Sequence, residues 1–401
     1  MTLKAEIPYG AYWSTPFCKW QQDFQSLHAI RFASHVTKHE LGRRDIAAEF
    51  FDYAVLGTTI PQARCFYGAP WMTSMAGLGE ISGPTIAQAC ATGVRAIAAA
   101  ASEIEIGMAT GALVVTADRT SNGPHLYYPE PTAAGGTGVH ENWVLDNFSC
   151  DPVGQNAMIE TAENVARKHR ISTTEQHEVV LQRYEQYDMA LAEDRAFQKR
   201  FMSLPFAVPR PRFDRSAGSL DGDAGITPTS AEKLASLQPL MDDGTVTYAA
   251  QTHPADGSAA LIVADPEKCR QLTIDDNIRV RILGFGQARA AQAFMPEAVA
   301  PAAGRALSMA GLGIEQIDAV KTHNPFAVND IVFSRATEFP LERMNNYGCS
   351  LVWGHPQAPT GTRSVIELIE EIALRGGGRG LFNGCAAGDT AMAMIVEVDV
   401  A

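Results

Sequence analysis

The sequence has no excess of basic residues, no CxxC pair and no long uninterrupted apolar run. Lysine and arginine together number 32 against 45 aspartate and glutamate residues, so the formal net charge is −13. Nucleic acids and anionic membranes bind basic surfaces, and neither is expected as a partner. A small anionic ligand remains compatible with this charge, because a few local basic or backbone N–H groups bind phosphate.

The seven cysteines have neither the even number of a disulfide framework nor the paired spacing of a zinc knuckle. Residues 1–10 lack the apolar core of a secretory signal. The most apolar stretch, 96–115, is interrupted by Glu103 and Glu105, so no membrane span is expected. These features predict a cytoplasmic protein with free thiols.

Helix and strand patterns recur in two α/β halves of the chain. In the first half they predict strands over 54–58, 84–89 and 111–117 and helices over 43–51 and 91–106. In the second half they predict helices over 296–310 and 362–374, a strand over 317–322 and a strand within 380–400. The interval from Thr58 to His323 equals that from Cys90 to His355, which indicates a duplicated βαβ-type core.

The segment between the two halves is less regular. It predicts a helix over 158–169, another after Thr173, and an irregular stretch rich in proline and glycine over 204–229. Such a segment lies over one face of a core, where binding residues often occur. We therefore divide the chain into residues 1–120 as an N-terminal half completed by about 253–270, residues 121–252 as a loop domain over the active site, and residues 271–401 as a C-terminal half.

Cys90 lies in the sequence AQACATG, between a predicted strand and a predicted helix. This places the thiol at a helix N-terminus, where unpaired N–H groups and the macrodipole favour thiolate. Thiolate is the form that attacks a thioester carbonyl. An arbitrary cysteine is more often a buried core residue, so the strand–turn–helix setting is what distinguishes Cys90.

Three further candidates lie on turns of small residues at strand ends: His355 in GHP, His323 in THNPFA and Cys385 in NGCAAG. Each alone is more simply a structural residue. Active sites in α/β folds assemble at strand ends, so together with Cys90 they favour a site with a cysteine nucleophile and a histidine base. A complete dinucleotide fingerprint, a P-loop, HExxH and GxSxG are all absent from the sequence.

Five segments in the right order, spread over essentially the whole chain, resemble motifs of the thiolase family. Segment 87–115 resembles the family's cysteine helix and following strand, and 158–166 (MIETAENVA) resembles MGxTAENVA. Segment 244–260 resembles GTVTAGNASGxNDGAAA, and 345–361 (NNYGCSLVWGHPQAPTG) resembles NxNGGAxALGHPxGASG. Segment 380–397 resembles the closing GLxxxCxGGGxGxAMIxE.

The resemblance implies an α/β thiolase fold, in which two duplicated βαβ-type halves form a layered α-β-α-β-α core with an inserted loop domain. Each half would contain a mostly parallel five-stranded sheet. The implied enzyme is a homodimer or homotetramer that pairs edge strands between subunits. Coenzyme A and acyl-CoA would be its substrates, and no metal or permanently bound cofactor is implied.

The implied reaction is acyl transfer to or from coenzyme A with formation or cleavage of the carbon–carbon bond of a 3-ketoacyl-CoA. Cys90 would carry the acyl group, His355 would take its proton, and Cys385 would exchange the α-proton. The N–H groups of Cys90 and Ala387 would form one oxyanion hole, and His355 with His323 the other.

The resemblance also places Met158, Thr252 and Phe326 against coenzyme A or the acyl chain. Several residues depart from the family pattern: His323 for asparagine, Ile226 for a nucleotide-binding arginine, Ala387 for the glycine of the closing CxG, Cys349, Trp353 and the segment 250–256. We interpret these departures as signs of a specialised acyl substrate.

Two alternatives stay open. The first is a decarboxylating enzyme similar to β-ketoacyl synthases, whose sites pair one cysteine with two histidines, here Cys90, His323 and His355. The second is a non-catalytic relative that binds acyl-CoA, with a small partner subunit completing the site. Cys385 favours the thiolase, because decarboxylation produces a carbanion without removal of an α-proton.

Overall fold

Short apolar runs rich in alanine and β-branched residues form most of the strands within residues 3–401, the part of the chain that the computed structural model describes. The strands are β1 (Tyr12–Ser14), β2 (Cys18–Lys19), β3 (Tyr53–Gly57), β4 (Thr85–Ile86), β5 (Gly111–Arg119), β6 (His125–Tyr128), β7 (Val139–Asn142), β8 (Phe206–Pro209), β9 (Ser216–Leu220), β10 (Ala255–Ala264), β11 (Ile278–Arg289), β12 (Ala319–His323), β13 (Gly378–Ala386) and β14 (Thr390–Val400).

Helices connect and cover these strands. They are α1 (Ala29–Arg43), α2 (Gly68–Ala76), α3 (Thr92–Glu105), α4 (Leu145–Ser149), α5 (Met158–His169), α6 (Thr173–Lys199), α7 (Ala231–Ala235), α8 (Pro266–Leu272), α9 (Val299–Ala310), α10 (Ala327–Thr337), α11 (Ser350–Trp353) and α12 (Ala358–Leu374). Helix α6 departs from helical geometry at 192–195. Within the described chain, no helix combines the length and apolarity needed to cross a membrane.

The strands form two main sheets of mixed direction. The first has the order β1-β10-β5-β3-β4, with β2 also paired to β10, and the second has the order β11-β14-β13-β12. The prediction of two mostly parallel five-stranded sheets is wrong, because only β3 with β4 and β5, and β12 with β13, pair in parallel. A tight turn at 387–389 splits the predicted terminal strand into β13 and β14, which must then pair antiparallel.

Two other predicted elements need correction. The helix predicted over 43–51 is wrong, since α1 ends at Arg43 and only a 3-10 turn over Ala48–Phe50 follows. Asp45 has a φ of 54°, which a continuing helix does not allow. The strand predicted over 84–89 is reduced to β4, because Ala89 has a φ of 44°. The remaining predicted helices and strands of both halves are present with shifted ends.

Helices α3 and α12, one from each half, form the central layer between the sheets. Both contact strands of the first sheet and strands of the second. Helix α1 packs on the outer side of the first sheet, and α9 packs on the outer side of the second. Because α12 is covered on all sides, nearly all of its residues are buried, including four charged ones.

Buried ion pairs connect α12 to the irregular segment that follows α6. Arg363 donates hydrogen bonds of 2.6 and 2.8 Å to the two carboxylate oxygens of Asp223 and one of 2.9 Å to Glu367. Its guanidinium carbon lies 4.4 Å from the ring centroid of Trp353. A charge inside a core needs such partners, so these contacts hold the segment against the central helix.

The first turns of α3 and α12 touch through Gly93. A Cβ atom at this position would lie 2.6 Å from the nitrogen of Thr362 and 2.7 Å from the carbonyl oxygen of Ala358. Real Cβ atoms do not approach backbone so closely, and neither helix can yield without displacing a sheet. The absence of a side chain at Gly93 therefore sets the distance between the two helices.

Substitution of this glycine tests the contact. We expect Gly93→Ala to lower the free energy of unfolding by about 1–3 kcal/mol or more through overpacking. Gly304→Ala is the matched control, because this helical glycine has no atom within 4 Å of its Cβ position. The control should gain up to about 1 kcal/mol from helix propensity. Urea unfolding of both variants measures the difference, and equal midpoints would contradict the contact.

Candidate active site

Cys90 lies in the turn between β4 and α3. The preceding Ala89 has left-handed backbone geometry, with a φ of 44°. Thr92 holds this turn, since its Oγ1 accepts a hydrogen bond of 2.8 Å from the N–H of Gln88 and donates one of 2.6 Å to the carbonyl of Ala89. The turn directs Cys90 to the wall of a cavity.

His355 and His323 lie beside each other at the ends of different elements. His355 precedes α12, and His323 is the last residue of β12. Their rings stack with centroids 3.9 Å apart and 25° between the planes. Nδ1 of His355 is 2.7 Å from Oγ1 of Thr360, and Nδ1 of His323 is 2.9 Å from Oγ of Ser350. Both Nε2 atoms are buried and without a hydrogen-bond partner in residues 3–401.

The sulfur of Cys90 and one ring nitrogen from each histidine lie within 4.8 Å of one another. This places a nucleophilic thiol beside two groups that accept its proton. A thiolate and two imidazoles are also zinc ligands, so these are the residues that would hold a metal ion. The resemblance described above implies no metal.

The backbone around Cys90 supplies two hydrogen-bond donors. The backbone N–H groups of Ala387 and of Cys90 itself are close enough to the thiol to lower its pKa. Burial has the larger effect and raises that pKa to about 12. The same two N–H groups are the nearby donors for an oxyanion on the carbonyl carbon that bonds to the sulfur.

Burial also keeps the histidines uncharged. It lowers the pKa of His323 to about 3. It lowers the pKa of His355 well below the ordinary value, and the neighbouring His323 adds to this effect. The resting site therefore contains a neutral thiol and two neutral imidazoles.

Cys385 lies at the end of β13, beside this group and completely buried. Burial and the proximity of Cys90 raise the pKa of its thiol. Nδ2 of Asn329, in the first turn of α10, donates a hydrogen bond of 3.2 Å to its sulfur. This contact lowers the pKa in part, since it favours the thiolate.

A cavity of about 500 Å³ opens in front of Cys90. Its walls are mainly apolar and include Met158, Thr252 and Phe326, the three residues that the sequence places against the substrate. His355 and Ala387 also line it, whereas His323 and Cys385 lie behind the wall. The cavity therefore ends at the thiol and the two donors beside it.

Trp353 and Cys349 do not line this cavity. Trp353 packs on Arg363 in the interior, and the sulfur of Cys349 lies 3.2 Å from Nδ2 of Asn324. These two departures therefore do not support the prediction of a specialised acyl substrate. They are adjustments of the core beside the histidine turn.

A smaller cavity of about 210 Å³ adjoins the first, and Gln251 lines both. Its walls include Lys19 and Lys233, together with Tyr184 and Tyr248. Two positive charges thus lie at one cavity in a chain of strongly negative net charge.

Sequence reasoning did not identify Asp118, Ser350, Thr360 or Asn329. Asp118 is the penultimate residue of β5 and accepts a hydrogen bond of 2.9 Å from the N–H of Ala358, in the first turn of α12. Burial raises the pKa of Asp118 to about 6. Thr360 and Asn329 carry a weak local signal, because each is a polar residue in the first turn of a helix that follows a candidate residue. Asp118 and Ser350 acquire their partners only through long-range packing.

Known proteins resemble this chain over nearly its full length. Models of the thiolase N-terminal and C-terminal domains match residues 11–267 and 277–398. Acetyl-CoA acetyltransferase IA of Candida tropicalis is 26% identical over 396 residues, which cover 96% of this chain and 95% of that protein. Acetyl-CoA acetyltransferase of Escherichia coli K12 is 26% identical over 377 residues, which cover 93% and 94%.

Solved structures share the fold. Human mitochondrial 3-ketoacyl-CoA thiolase superimposes with a TM-score of 0.89 at 24% identity, covering 99% of this chain and 100% of that one. The same human enzyme in complex with CoA gives 0.88 at 24% identity, covering 99% of each chain. Acetyl-CoA acetyltransferase of Bacillus anthracis gives 0.88 at 23% identity with the same coverage. The predicted fold class is thereby confirmed.

Alkylation of Cys90 tests the resting protonation state. Because thiolate is the reactive form and burial raises the pKa of Cys90 to about 12, the alkylation rate by iodoacetamide should rise steadily from about pH 7 to pH 10. Peptide mass spectrometry measures this rate, and the exposed Cys150 in the same sample serves as a reference. A rate that stays constant over this range would indicate a preformed thiolate–imidazolium pair.

Proposed function

This chain belongs to the thiolase family, and on that premise we propose that Cys90 carries the acyl group during cleavage or formation of a 3-ketoacyl-CoA. The observation that supports this role is the position of Cys90. Its sulfur lies beside two histidines, and the residue lines an apolar cavity. The second thiol, Cys385, lies directly behind. A thiolase needs both thiols, one for the acyl group and one for the α-proton.

In the cleavage direction, Cys90 transfers its proton to one of the stacked histidines and attacks the 3-keto carbon. The oxyanion that forms accepts hydrogen bonds from the N–H groups of Cys90 and Ala387. These donors are in place before the reaction, so they stabilise the charge without reorganisation. The bond between carbons 2 and 3 then breaks and leaves an acyl group on the sulfur.

Cys385 protonates carbon 2 of the departing enolate. Its burial favours the neutral thiol, which is the form that gives up a proton, and Asn329 stabilises the thiolate that remains. The thiol of free coenzyme A returns a proton to Cys385 and attacks the acyl group on Cys90. Synthesis runs through the same steps in reverse.

Activity measurements on two variants distinguish the role of Cys90 from that of Cys385. We expect Cys90→Ala to abolish thiolysis of a panel of 3-ketoacyl-CoAs with short, long, branched and aryl chains, measured by loss of enolate absorbance. Cys385→Ala should lose about 10²–10⁴-fold in turnover, as is typical when a general acid is removed. It should still acylate Cys90 from acetyl-CoA. Cys150→Ala, an exposed cysteine, is the matched control.

The same panel separates the alternatives. An apolar acyl chain larger than acetyl is the expected preference, because the walls of the cavity that contains Cys90 include Leu145, Phe148 and Leu240. Absence of thiolysis together with release of CO2 from malonyl-CoA would contradict the thiolase and support a decarboxylating condensing enzyme. Absence of both reactions would support a binding protein or the need for a small partner subunit.

We place the anionic end of coenzyme A at the smaller cavity. Gln251 connects this cavity to the catalytic one, and Lys19 and Lys233 supply the charge that phosphate groups require. These lysines would take over the role of the arginine that the chain lacks at Ile226.

Removal of one lysine tests this placement. We expect Lys233→Ala to raise the KM for coenzyme A about tenfold, as for the loss of one charge-assisted hydrogen bond, with little change in kcat. Steady-state thiolysis at varied coenzyme A concentration measures both constants. Lys38→Ala is the control, since this exposed lysine of α1 lines neither cavity. An unchanged KM in Lys233→Ala would place the phosphates elsewhere.

We also propose a homodimer or homotetramer. Strand β4 pairs only with β3, which leaves an open edge on the first sheet within the described residues. Phe66 and Tyr67, in the segment before α2, are 94% and 66% exposed. An open strand edge near exposed aromatic side chains is typical of a subunit interface. The cytoplasmic location stays a prediction from sequence.

A further inference from the structure

We propose that Ser350 holds His323 in a single tautomer, with the proton on Nδ1, so that the neutral ring presents Nε2 as a base toward Cys90. The catalytic consequence rests on the proposed thiolase function, whereas the tautomer follows from the hydrogen bonds alone. Ser350 is a positioning residue in this scheme. His323 is the group that receives the proton.

The orientation of the Asn324 side-chain amide determines the direction of the hydrogen bonds made by Ser350 and His323. Its Nδ2 lies 2.8 Å from Oδ2 of Asp330, which is in a buried ion pair with Arg183. Its Oδ1 lies 3.2 Å from the backbone N–H of Leu351. A carboxylate only accepts hydrogen bonds and a backbone N–H only donates, so the two ends of the amide cannot be exchanged.

The proton of the Ser350 hydroxyl is directed by Asn324. Oγ of Ser350 lies 3.1 Å from Oδ1 of Asn324, an oxygen that only accepts, so the hydroxyl donates there. The same hydroxyl oxygen accepts the N–H of Asn324 at 3.2 Å and faces Nδ1 of His323 at 2.9 Å. Its single proton is already committed, so Nδ1 of His323 must carry the proton of that hydrogen bond.

The opposite tautomer brings two buried oxygen atoms together without a proton between them. If Ser350 donated to Nδ1 of His323, its oxygen and Oδ1 of Asn324 would face each other at 3.1 Å with no proton between them. Both atoms belong to fully buried residues, where water cannot compensate. Ser350 also occupies the alanine position of the family motif quoted above, so the hydroxyl and the extra imidazole are departures that occur together.

His355 is not constrained in this way. Oγ1 of Thr360 contacts Nδ1 of His355 and has no other side-chain hydrogen bond within the described chain, so it is free to donate to that nitrogen. When Thr360 donates, Nε2 of His355 carries a proton and acts as a donor. In that state the neutral pair presents one acceptor, on His323, and one donor, on His355.

This division moves the role of base from His355, to which the family resemblance assigned it, to His323. The S–H bond of Cys90 breaks and an N–H bond forms on Nε2 of His323 as the sulfur bonds to the carbonyl carbon. His323 keeps its bond to Ser350 as an imidazolium, and the proton returns to the sulfur when the acyl group leaves. His355, with its proton on Nε2, is the donor to the enolate oxygen.

Neutron diffraction from crystals of the unaltered protein exchanged into D2O tests the tautomer without reference to activity. We expect deuterium on Nδ1 of His323 and on Oγ of Ser350 in the direction of Asn324. Deuterium on Nε2 of His323, with none on Nδ1, would overturn the proposal even if the protein is an active thiolase. The expected deuterium pattern in a protein without thiolase activity would leave the tautomer standing and reject the proposed function.

Kinetics then test the consequence. Ser350→Ala should lower the rate of Cys90 acylation by acyl-CoA at least tenfold, with little change in KM. Ser350→Thr, which keeps the hydroxyl, should retain most of the rate, and melting curves verify that both variants are folded. Wild-type acylation in a folded Ser350→Ala variant would overturn the role of His323 as the base.

Discussion

The contact between the first turns of α3 and α12 is the constraint on which the active site depends. Each helix begins just after a reactive residue, Cys90 in one half and His355 in the other. Gly93 allows the two backbones to meet without an intervening side chain. Because both helices are enclosed between two sheets, the position of the sulfur relative to the imidazoles is inherited from the packing of the whole core.

The second general property is that reactive groups and charges are kept apart. Burial holds Cys90 and both histidines in their neutral forms, so charge develops only when a substrate is attacked. The buried charges lie one layer farther out as ion pairs, Arg183 with Asp330 and Arg363 with Asp223. There they orient amides, hydroxyls and a loop toward the site. A neutral site surrounded by oriented dipoles stabilises charge at the moment it forms.

Local patterns in the sequence predicted much of this arrangement. The cysteine turn, the alanine-rich α3 and the strands β3, β5 and β12 follow from periodicity, and the resemblance to family motifs pointed to Met158, Thr252 and Phe326, which line the cavity. Errors occurred where one residue broke a pattern. Asp45 and Ala89 take positive φ values that end an element, and periodicity has no means of showing this. Trp353 was interpreted as one sign of a specialised substrate, but its ring packs on a buried arginine from the next helix and does not line the cavity.

The sequence by itself determined the fold class and singled out Cys90, His323, His355 and Cys385 as candidates, because both depend on short-range periodicity and on motifs that remain contiguous in the chain. The tertiary structure alone decided the mixed direction of the sheets, the partners of the buried charges and the tautomer of His323. Each of these depends on atoms far apart in the chain: the hydrogen bonds that orient Asn324 and Ser350 join β12, α10 and the start of α11. Hydrogen-bond direction is a property of three-dimensional contacts, so no linear pattern encodes it.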